Sequence, residues 1–251
     1  MTMIDLQYHD AVATIRLNRG VTNALDLPLV DELAGTLRKV QHDADVRGLV
    51  LCSANDKFLS IGFDIPQLFG LSRKDFTFFY QSFNRLCMAL YTLPKPTVAA
   101  ITGHAIAGGC ILALCCDYRF MAQGRKLMGL NEIHLGVPVP YLADRVLRDL
   151  VGVRYARDMM ERGEFYSPDA LLRMGAVDRV LPLDQVLGAA IEQAGLLGTS
   201  PQEAFALVKR NRVEAVEAQV VAHLEEKARC FIARWYSDET RERLKQAMEK
   251  F

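Results

Sequence analysis

The sequence of 251 residues predicts an α/β fold that is followed by a helical C-terminal region. Short apolar runs typical of buried strands alternate with amphipathic helical segments up to about residue 122. From about residue 140 the strand pattern almost disappears. Such alternation indicates a mostly parallel sheet covered by helices. We therefore expect a core domain over residues 1–195 and a helical region over residues 196–251.

The first half of the chain carries most of the strand patterns. Residues 4–17 alternate around His9 and Asp10, which is typical of a β-hairpin. Pro28 near a helix start, followed by apolar residues at helical spacing, predicts an amphipathic helix. A second helix is expected to end before Pro94, and a third to open at the Gly108-Gly109 pair. The segments predicted here are strands at 47–52, 98–101 and 117–122 and a helix at 73–92.

The second half reads as helical. Only residues 177–181 form a strand pattern there, and helices are predicted at 140–150, 153–162, 167–174, 183–197, 200–237 (continuous or broken) and 238–250. The last segments carry more apolar residues at helical spacing than an exposed helix requires, namely Phe205, Val208, Val213, Val216, Val220, Leu224, Phe231 and Trp235. Two interpretations remain open, a subunit interface and packing of the tail on the core.

The composition argues against several classes of partner and against a metal site. Thirty basic and thirty acidic residues balance, so neither nucleic acid nor an anionic membrane is favoured. The apolar runs are too short for a membrane span, and the first residues lack the features of a secretory signal. The six cysteines show no metal-ligand spacing, so we expect reduced core cysteines, no metal and a cytoplasmic location. A nucleophilic Cys110 is disfavoured because no His follows at a motif-like position.

Glu132 is the most informative candidate for chemistry. It lies among Leu130, Ile133 and Leu135, which offer little water and few polar partners. A carboxylate in such surroundings loses hydration, its pKa rises, and it can exchange protons near neutral pH. The alternative is an exposed Glu on a loop or a strand edge.

Two glycine-containing turns precede Glu132 in the sequence. In residues 57–65, Gly62 permits unusual backbone angles and Asp64 can cap the next helix. Residues 103–109 form a strand-to-helix turn of small residues without the spacing of a dinucleotide-binding motif. One N–H group from each turn would make a two-donor oxyanion hole. Simple close packing at Gly108 and Gly109 is the alternative.

Four motifs occur together and in a fixed order. They are Ser-Ile-Gly-Phe-Asp (60–64), Gly-His-Ala-Ile-Ala-Gly-Gly-Cys (103–110), Cys-Asp-Tyr-Arg (116–119) and Gly-Leu-Asn-Glu-x-x-Leu-Gly (129–136). This set resembles the crotonase, or enoyl-CoA hydratase/isomerase, superfamily over nearly the whole chain, and Leu-Asn-Arg (17–19) with Asn-Ala-Leu (23–25) resembles its N-terminal signature. Within the superfamily it is most similar to the mitochondrial-type Δ3,Δ2-enoyl-CoA isomerases.

The resemblance implies a fold, a site and an assembly. The fold would be a crotonase-like (ClpP/crotonase) spiral of ββα units, assembled through the tail as a homotrimer or a dimer of trimers. The backbone N–H groups of Phe63 and Gly108 would grip the thioester oxygen of an acyl-CoA, and Glu132 would be the catalytic base. The implied substrate-binding residues are Ser60, Ile61, Gly62, Phe63, Asp64, Ala107 and Asn131. No metal or other cofactor is implied.

One departure from the family pattern favours a particular reaction. Hydratases of the family carry a second Glu two residues after the Gly-Gly pair, where this chain has Ile111. Water addition suits two carboxylates, whereas moving a double bond from position 3 to position 2 requires only one proton shuttle. The chain is thus predicted to be an isomerase, with hydratase, thioester hydrolase, decarboxylase and a non-catalytic acyl-CoA-binding protein as alternatives.

Four further residues near the motifs have open roles. Arg19 and Lys57 are candidate contacts for the CoA phosphates or solvated surface charges. His104 is interpreted as structural, and His134 as a residue that could support Glu132.

Overall fold

A computed structural model describes residues 2–249 of the chain. Within these residues the strands are β1 (Ile4–His9), β2 (Val12–Leu17), β3 (Gly48–Ser53), β4 (Phe58–Ser60), β5 (Thr97–Ile101), β6 (His104–Ile106), β7 (Tyr118–Ala122), β8 (Met128–Gly129), β9 (Phe165–Tyr166) and β10 (Arg179–Leu181). The α-helices are α1 (Leu27–His42), α2 (Ile65–Phe69), α3 (Arg73–Tyr91), α4 (Gly108–Leu114), α5 (Tyr141–Arg162), α6 (Pro168–Met174), α7 (Leu183–Gly198), α8 (Gln202–Trp235) and α9 (Asp238–Met248). A 3-10 helix spans Glu132–Leu135.

The larger sheet has six strands in the order β1-β2-β3-β5-β7-β10. Only the β1–β2 hairpin is antiparallel, and the other neighbours run parallel. Val186, Ala190 and Ala194 of α7 cover one face, where they meet Val50 and Val98. The opposite face packs against the main core, which includes residues of α1 and α3. The predicted α/β architecture with a mostly parallel sheet is therefore confirmed.

A second sheet of four short strands, in the order β4-β6-β8-β9, was not predicted. Strands β4, β6 and β8 run parallel, and β9 pairs antiparallel with β8. The segments 57–65 and 103–109, expected to be turns, therefore each contain a strand before the turn. The sequence prediction missed these strands because two or three residues are too few to show an alternating pattern.

Helix boundaries follow capping side chains. Asp26 accepts a hydrogen bond from the Leu29 N–H at 3.0 Å, so α1 begins at Leu27. Asp64 caps α2 by accepting from the Gln67 N–H, as predicted. Gly152, at φ +75°, interrupts α5 and confirms the break expected between residues 150 and 153. Helix α8 is continuous over 34 residues.

The apolar residues of the tail divide between the core and the surface. The buried ones are Val213, Val216, Val220, Phe231 and Trp235. Packing on the core is thus confirmed for this set. By contrast, the side chains of Leu207, Val208 and Val221 are 62–70 % exposed. No helix within residues 2–249 is both long and apolar enough to cross a membrane.

The cysteines are all unpaired, and one of them is not a core residue. Cys52, Cys87, Cys110, Cys115 and Cys116 are buried, as expected, whereas Cys230 is exposed on α8. The prediction of core cysteines is wrong at this position because Cys230 precedes the buried Phe231 on the helix and faces outward. Burial raises the pKa of the Cys110 thiol well above its ordinary value, which disfavours the nucleophilic thiolate.

Candidate active site

The second sheet brings the three chemistry-bearing segments together. Strand β4 leads into the turn at residues 61–64, β6 leads into residues 107–108, and β8 is followed by residues 131–132. These strands are parallel neighbours, so the residues that follow them meet at one edge of the sheet. Phe63 and Glu132 are far apart in the sequence. The pairing of these strands brings both residues to one cavity.

The first turn is held by the N-terminal segment. The Ile61 N–H donates to the Thr22 carbonyl at 2.9 Å, and the Leu25 N–H donates to the Gly62 carbonyl at 2.7 Å. The Asp64 N–H in turn donates to the Leu25 carbonyl at 2.9 Å. These hydrogen bonds hold residues 22–25 beside the turn and use the backbone groups on both sides of Phe63.

The backbone of the second turn is in close contact with the backbone of the first. A Cβ atom on Gly62, which has φ +94°, would lie 2.9 Å from the Gly108 N atom. Ala107 adopts φ +46°, an unusual value for a residue with a side chain, and its N–H donates to the Gly129 carbonyl at 2.9 Å. Within residues 2–249 the N–H groups of Phe63 and Gly108 donate to no other group. Two unpaired donors therefore lie on adjacent turns.

These turns border a cavity of about 350 Å³. Its wall is largely aliphatic and aromatic, and in the described chain its polar side-chain groups are those of Asn131, Glu132 and His104 and the indole N–H of Trp235. The lining residues are Phe58, Ile61, Phe63, Ile65, His104, Ile106, Ala107, Gly108, Ile111, Leu127, Asn131, Glu132, Leu135, Val137, Pro140, Phe165, Phe231, Trp235 and Ala247. A mostly apolar cavity with a few convergent polar groups is typical of a small-molecule site.

Glu132 opens the 3-10 helix and points its carboxylate into low-polarity surroundings. Its side chain is buried, with the residue only 5 % exposed, and Oε2 has no hydrogen-bond partner within the described chain. Burial raises the pKa of Glu132 from its ordinary 4.5 to about 7. The exposed-Glu interpretation is therefore wrong, and the carboxyl group can both accept and return a proton near neutral pH.

Two other lining side chains carry buried polar atoms without a partner. These are Oδ1 of Asn131 and Nε1 of Trp235. Buried polar groups in folded proteins are nearly always hydrogen-bonded, so unpaired ones around a cavity are consistent with a ligand that completes them. Ile111, by contrast, offers only carbon atoms to the cavity.

Not every predicted site residue lines this cavity. Ile61, Phe63, Ala107, Gly108, Asn131 and Glu132 do, whereas Ser60, Gly62 and Asp64 are not part of its lining. The Ser60 hydroxyl donates to the Asn23 carbonyl at 2.7 Å and accepts from the Gly62 N–H at 3.0 Å. Asp64 caps α2 and forms an ion pair of 2.8 Å with Arg19. These three residues shape the first turn.

The remaining candidates have separate positions. Arg19 is partly buried and forms ion pairs with Asp26 and Asp64, so it is a structural cation and not a free contact for phosphate. Lys57 is exposed next to Phe58 at the cavity, so it stays a candidate. His134 is exposed, and no hydrogen bond within residues 2–249 joins it to Glu132.

His104 is partly exposed and holds a structural bond. Its Nδ1 accepts from the Leu127 N–H at 3.1 Å, between β6 and the segment before β8. Partial burial and the nearby Lys126 lower its pKa, so the neutral ring is favoured. No cluster of three or more His, Cys, Asp or Glu side chains in the described part of the chain could hold a metal ion.

The sequence prediction named no residue of the tail in the site, although the depth of the pocket was expected to depend on how the tail folds over it. Phe231 and Trp235 of α8 and Ala247 of α9 line the cavity. The Thr240 hydroxyl also donates to the Gly136 carbonyl at 2.9 Å, which ties α9 to the loop that carries Glu132. The aromatic residues at helical spacing indicated that this part of the tail is buried. Which surface they pack against depends on the path of a 34-residue helix, and the sequence does not reveal that path.

Solved structures identify the fold class. The human mitochondrial Δ3,Δ2-enoyl-CoA isomerase superposes with a TM-score of 0.96 at 28 % identity, covering 99 % of this chain and 98 % of that one. An enoyl-CoA hydratase from Bacillus anthracis superposes with a TM-score of 0.82 at 26 % identity, covering 99 % and 97 %. The fold is therefore the crotonase fold, and the crotonase-like prediction is confirmed.

Sequence comparison identifies the family. The family model described as enoyl-CoA hydratase/isomerase matches residues 7–251. The mitochondrial enoyl-CoA delta isomerase 1 of Mus musculus is 34 % identical over 185 residues, which are 73 % of this chain and 64 % of that protein. The Homo sapiens protein of the same name is 29 % identical over 240 residues, 95 % of this chain and 80 % of that one. A crotonyl-CoA hydratase of Syntrophomonas wolfei is 28 % identical over 218 residues, 86 % and 84 %. The chain belongs to the enoyl-CoA hydratase/isomerase family.

Proposed function

We propose that this protein is an enoyl-CoA isomerase that moves the double bond of a 3-enoyl-CoA to the 2-trans position. The observation that carries the proposal is the buried Glu132, whose pKa is raised to about 7 in a cavity that it shares with Ile111. A single carboxylate with that pKa suits a reaction in which one proton leaves carbon and returns to carbon.

The unpaired N–H groups of Phe63 and Gly108 form the oxyanion hole in this proposal. They lie on adjacent turns at the cavity wall and donate to no other group of residues 2–249. The thioester oxygen of the substrate accepts from both, so the negative charge that develops on it is stabilised. The acidity of the protons on C2 rises as a consequence.

Glu132 moves the proton. Its carboxylate removes a proton from C2, and the electron pair of that C–H bond becomes part of a dienolate whose charge lies largely on the thioester oxygen. The same carboxyl group then delivers the proton to C4, where a new C–H bond forms, and the double bond is left between C2 and C3. One C–H bond is broken at C2 and one is formed at C4, so atoms and charges balance without water, and no redox partner is needed because the substrate undergoes no net oxidation or reduction.

Ile111 favours this reaction over hydration. Adding water to a 2-enoyl-CoA requires one group to activate the water and a proton to be delivered to the neighbouring carbon, for which two carboxylates are suited. In the cavity of the described chain Glu132 has no second carboxylate beside it, and Ile111 is 1 % exposed with no polar atom in its side chain.

A product-resolved assay tests the proposal. Purified enzyme is incubated separately with 3-hexenoyl-CoA and 2-hexenoyl-CoA, and the products are separated by chromatography. We expect rapid formation of 2-hexenoyl-CoA from the first and negligible 3-hydroxyhexanoyl-CoA from the second. Efficient hydration without isomerisation would overturn the proposal. The hydratase is the second candidate, because hydratases of the family are also similar to this chain over most of its length.

The assembly and location extend the proposal. We propose a homotrimer, or a dimer of trimers, in the cytoplasm, with the exposed apolar residues Leu207, Val208 and Val221 of α8 contributing to the subunit contact. Sedimentation velocity distinguishes a trimer or hexamer from a monomer. If a monomer persists at micromolar concentration, the assembly proposal fails without affecting the catalytic one.

A further inference from the structure

A second cavity lies on the far side of the active-site wall. It measures about 430 Å³ and is bordered by residues of α5 and α8 together with the loop that follows Glu132. Val137 and Phe231 border both this cavity and the active-site cavity. Because the same two side chains face both spaces, they form a partition between them.

The partition is held in place from both sides. The Val137 N–H donates to the Glu132 carbonyl at 3.1 Å, so Val137 is positioned by the residue that carries the carboxylate. The Phe231 ring stacks on Tyr80 with the ring centroids 4.2 Å apart. Val137 and Phe231 are 3 % and 2 % exposed. Both are therefore packed side chains with defined positions.

The second cavity is apolar next to the partition and charged at its rim. Its lining includes the buried Met160 and the partly buried Val139 on the inner side, whereas the more exposed rim carries the ion pair of Asp144 and Arg148, with Nε to Oδ1 at 2.7 Å. Lys227 also lies at the rim, 5.6 Å from the centroid of the Tyr141 ring. The inner part can take methylene groups, whereas the rim favours water.

We propose that Phe231 and Val137 set the upper limit on acyl-chain length by closing the active-site cavity against the second cavity. The proposal rests on the acyl-CoA substrate of the proposed function and deepens it. Removing the Phe231 ring joins the two cavities. A longer acyl chain then makes apolar contacts in the second cavity that it cannot make in the wild-type enzyme. Each methylene accommodated in this way improves recognition by up to roughly fourfold.

The test compares short and long substrates in one variant. The kcat/KM values for 3-hexenoyl-, 3-decenoyl- and 3-hexadecenoyl-CoA are measured for the wild type and for Phe231→Ala. We expect the ratio of hexadecenoyl to hexenoyl activity to rise by at least tenfold in the variant. An unchanged ratio, or an equal loss at every chain length, would overturn the proposal.

Phe165→Ala is the matched control. Phe165 borders the active-site cavity but not the second cavity, so its removal deletes the same side chain without opening the partition. The length ratio should not change there. Val137→Ala opens the partition from the other side and replaces Phe231→Ala if circular dichroism shows that the latter does not fold. A rise in the ratio for Phe165→Ala as large as that for Phe231→Ala would overturn the role of the partition.

A filling substitution tests the second cavity itself. Cys230 borders the second cavity but not the active-site cavity and is exposed, so Cys230→Phe adds volume to the second cavity from its rim. In the Phe231→Ala background this change should return the length ratio towards the wild-type value. If the ratio stays high, the longer chain does not enter the second cavity and the proposal fails.

Binding measurements separate this proposal from the proposed function. Calorimetry with hexanoyl- and hexadecanoyl-CoA, which have no double bond to move, reports chain-length preference without turnover. A length shift in binding with no isomerase activity would refute the isomerase and retain the partition. Isomerase activity without a length shift in binding would support the isomerase and refute the role of the partition.

Discussion

Ile111 and Glu132 border the same cavity, although they come from different elements, the short helix α4 and the 3-10 helix after β8. Ile111 presents only an aliphatic side chain to this cavity, and Glu132 is buried with an unpartnered oxygen. The pair therefore describes a site with one proton-transferring group in an apolar wall. That relationship connects the sequence motif to the reaction we propose.

We predict that isomerase activity follows the titration of Glu132. Because burial raises its pKa to about 7, kcat/KM should fall about tenfold per pH unit below that value and reach a plateau above it. On the plateau above that pH, Glu132→Gln should lower kcat/KM by on the order of a thousandfold or more and should remove the dependence on this titration. Initial rates with 3-hexenoyl-CoA from mildly acidic to mildly alkaline pH check both. Glu192→Gln, an exposed carboxylate on α7, should retain the wild-type profile. A profile flat across neutral pH would contradict the assignment.

The same titration predicts a pH-dependent cost to stability. The unfolded chain releases the Glu132 proton near the ordinary pKa of 4.5, whereas the folded chain holds it until about 7. The contribution of Glu132 therefore lowers the free energy of unfolding progressively as the pH rises between these values, by on the order of 3 kcal/mol in total. Above them this contribution is constant. Urea denaturation should show that Glu132→Gln gains stability relative to the wild type on going from about pH 4 to about pH 8. A stability difference independent of pH would refute the raised pKa.

The contact between Gly62 and Gly108 should limit substitution at Gly62. An alanine there must adopt φ +94° and would bring its Cβ to 2.9 Å from the Gly108 N atom. We expect Gly62→Ala to reduce kcat by about a hundredfold, because it displaces the proposed oxyanion-hole donors. Gly70→Ala is the control, since Gly70 has φ −79° and open space around it. Steady-state kinetics of the two variants should differ accordingly, and a fully active Gly62→Ala enzyme would argue against the oxyanion hole.

Ile111→Glu should change the balance of reactions. A second carboxyl group in the cavity disfavours ionisation of both acids and supplies a partner for activating water. We expect isomerase kcat/KM to fall at least tenfold and hydration of 2-hexenoyl-CoA to rise above that of the wild type. Product analysis by chromatography measures both, and Ile111→Gln separates the effect of polarity from that of the acid. If neither rate changes, Ile111 has no part in selecting the reaction.

Much of the core could be predicted because its elements are long enough to show a period. The amphipathic spacing around Val30 and Leu33 predicted α1, and the apolar run before Ser53 predicted β3 to within one residue. The break between residues 150 and 153 was also predicted, and the structure places the non-helical Gly152 there. The tail helices were also predicted, although the structure places Cys230 on the surface and not in the core.

By itself, the sequence determined the α/β class, the tail helices and the presence of a carboxylate among apolar neighbours, since these depend on local periodicity and composition. Only the tertiary structure decided that β4, β6 and β8 pair, because strands of two or three residues have no stability or pattern of their own. It also decided that Trp235 and Phe231 close the cavity around Glu132. The raised pKa of Glu132 follows from its burial in the folded chain, because desolvation is a property of the surrounding atoms and not of the residue.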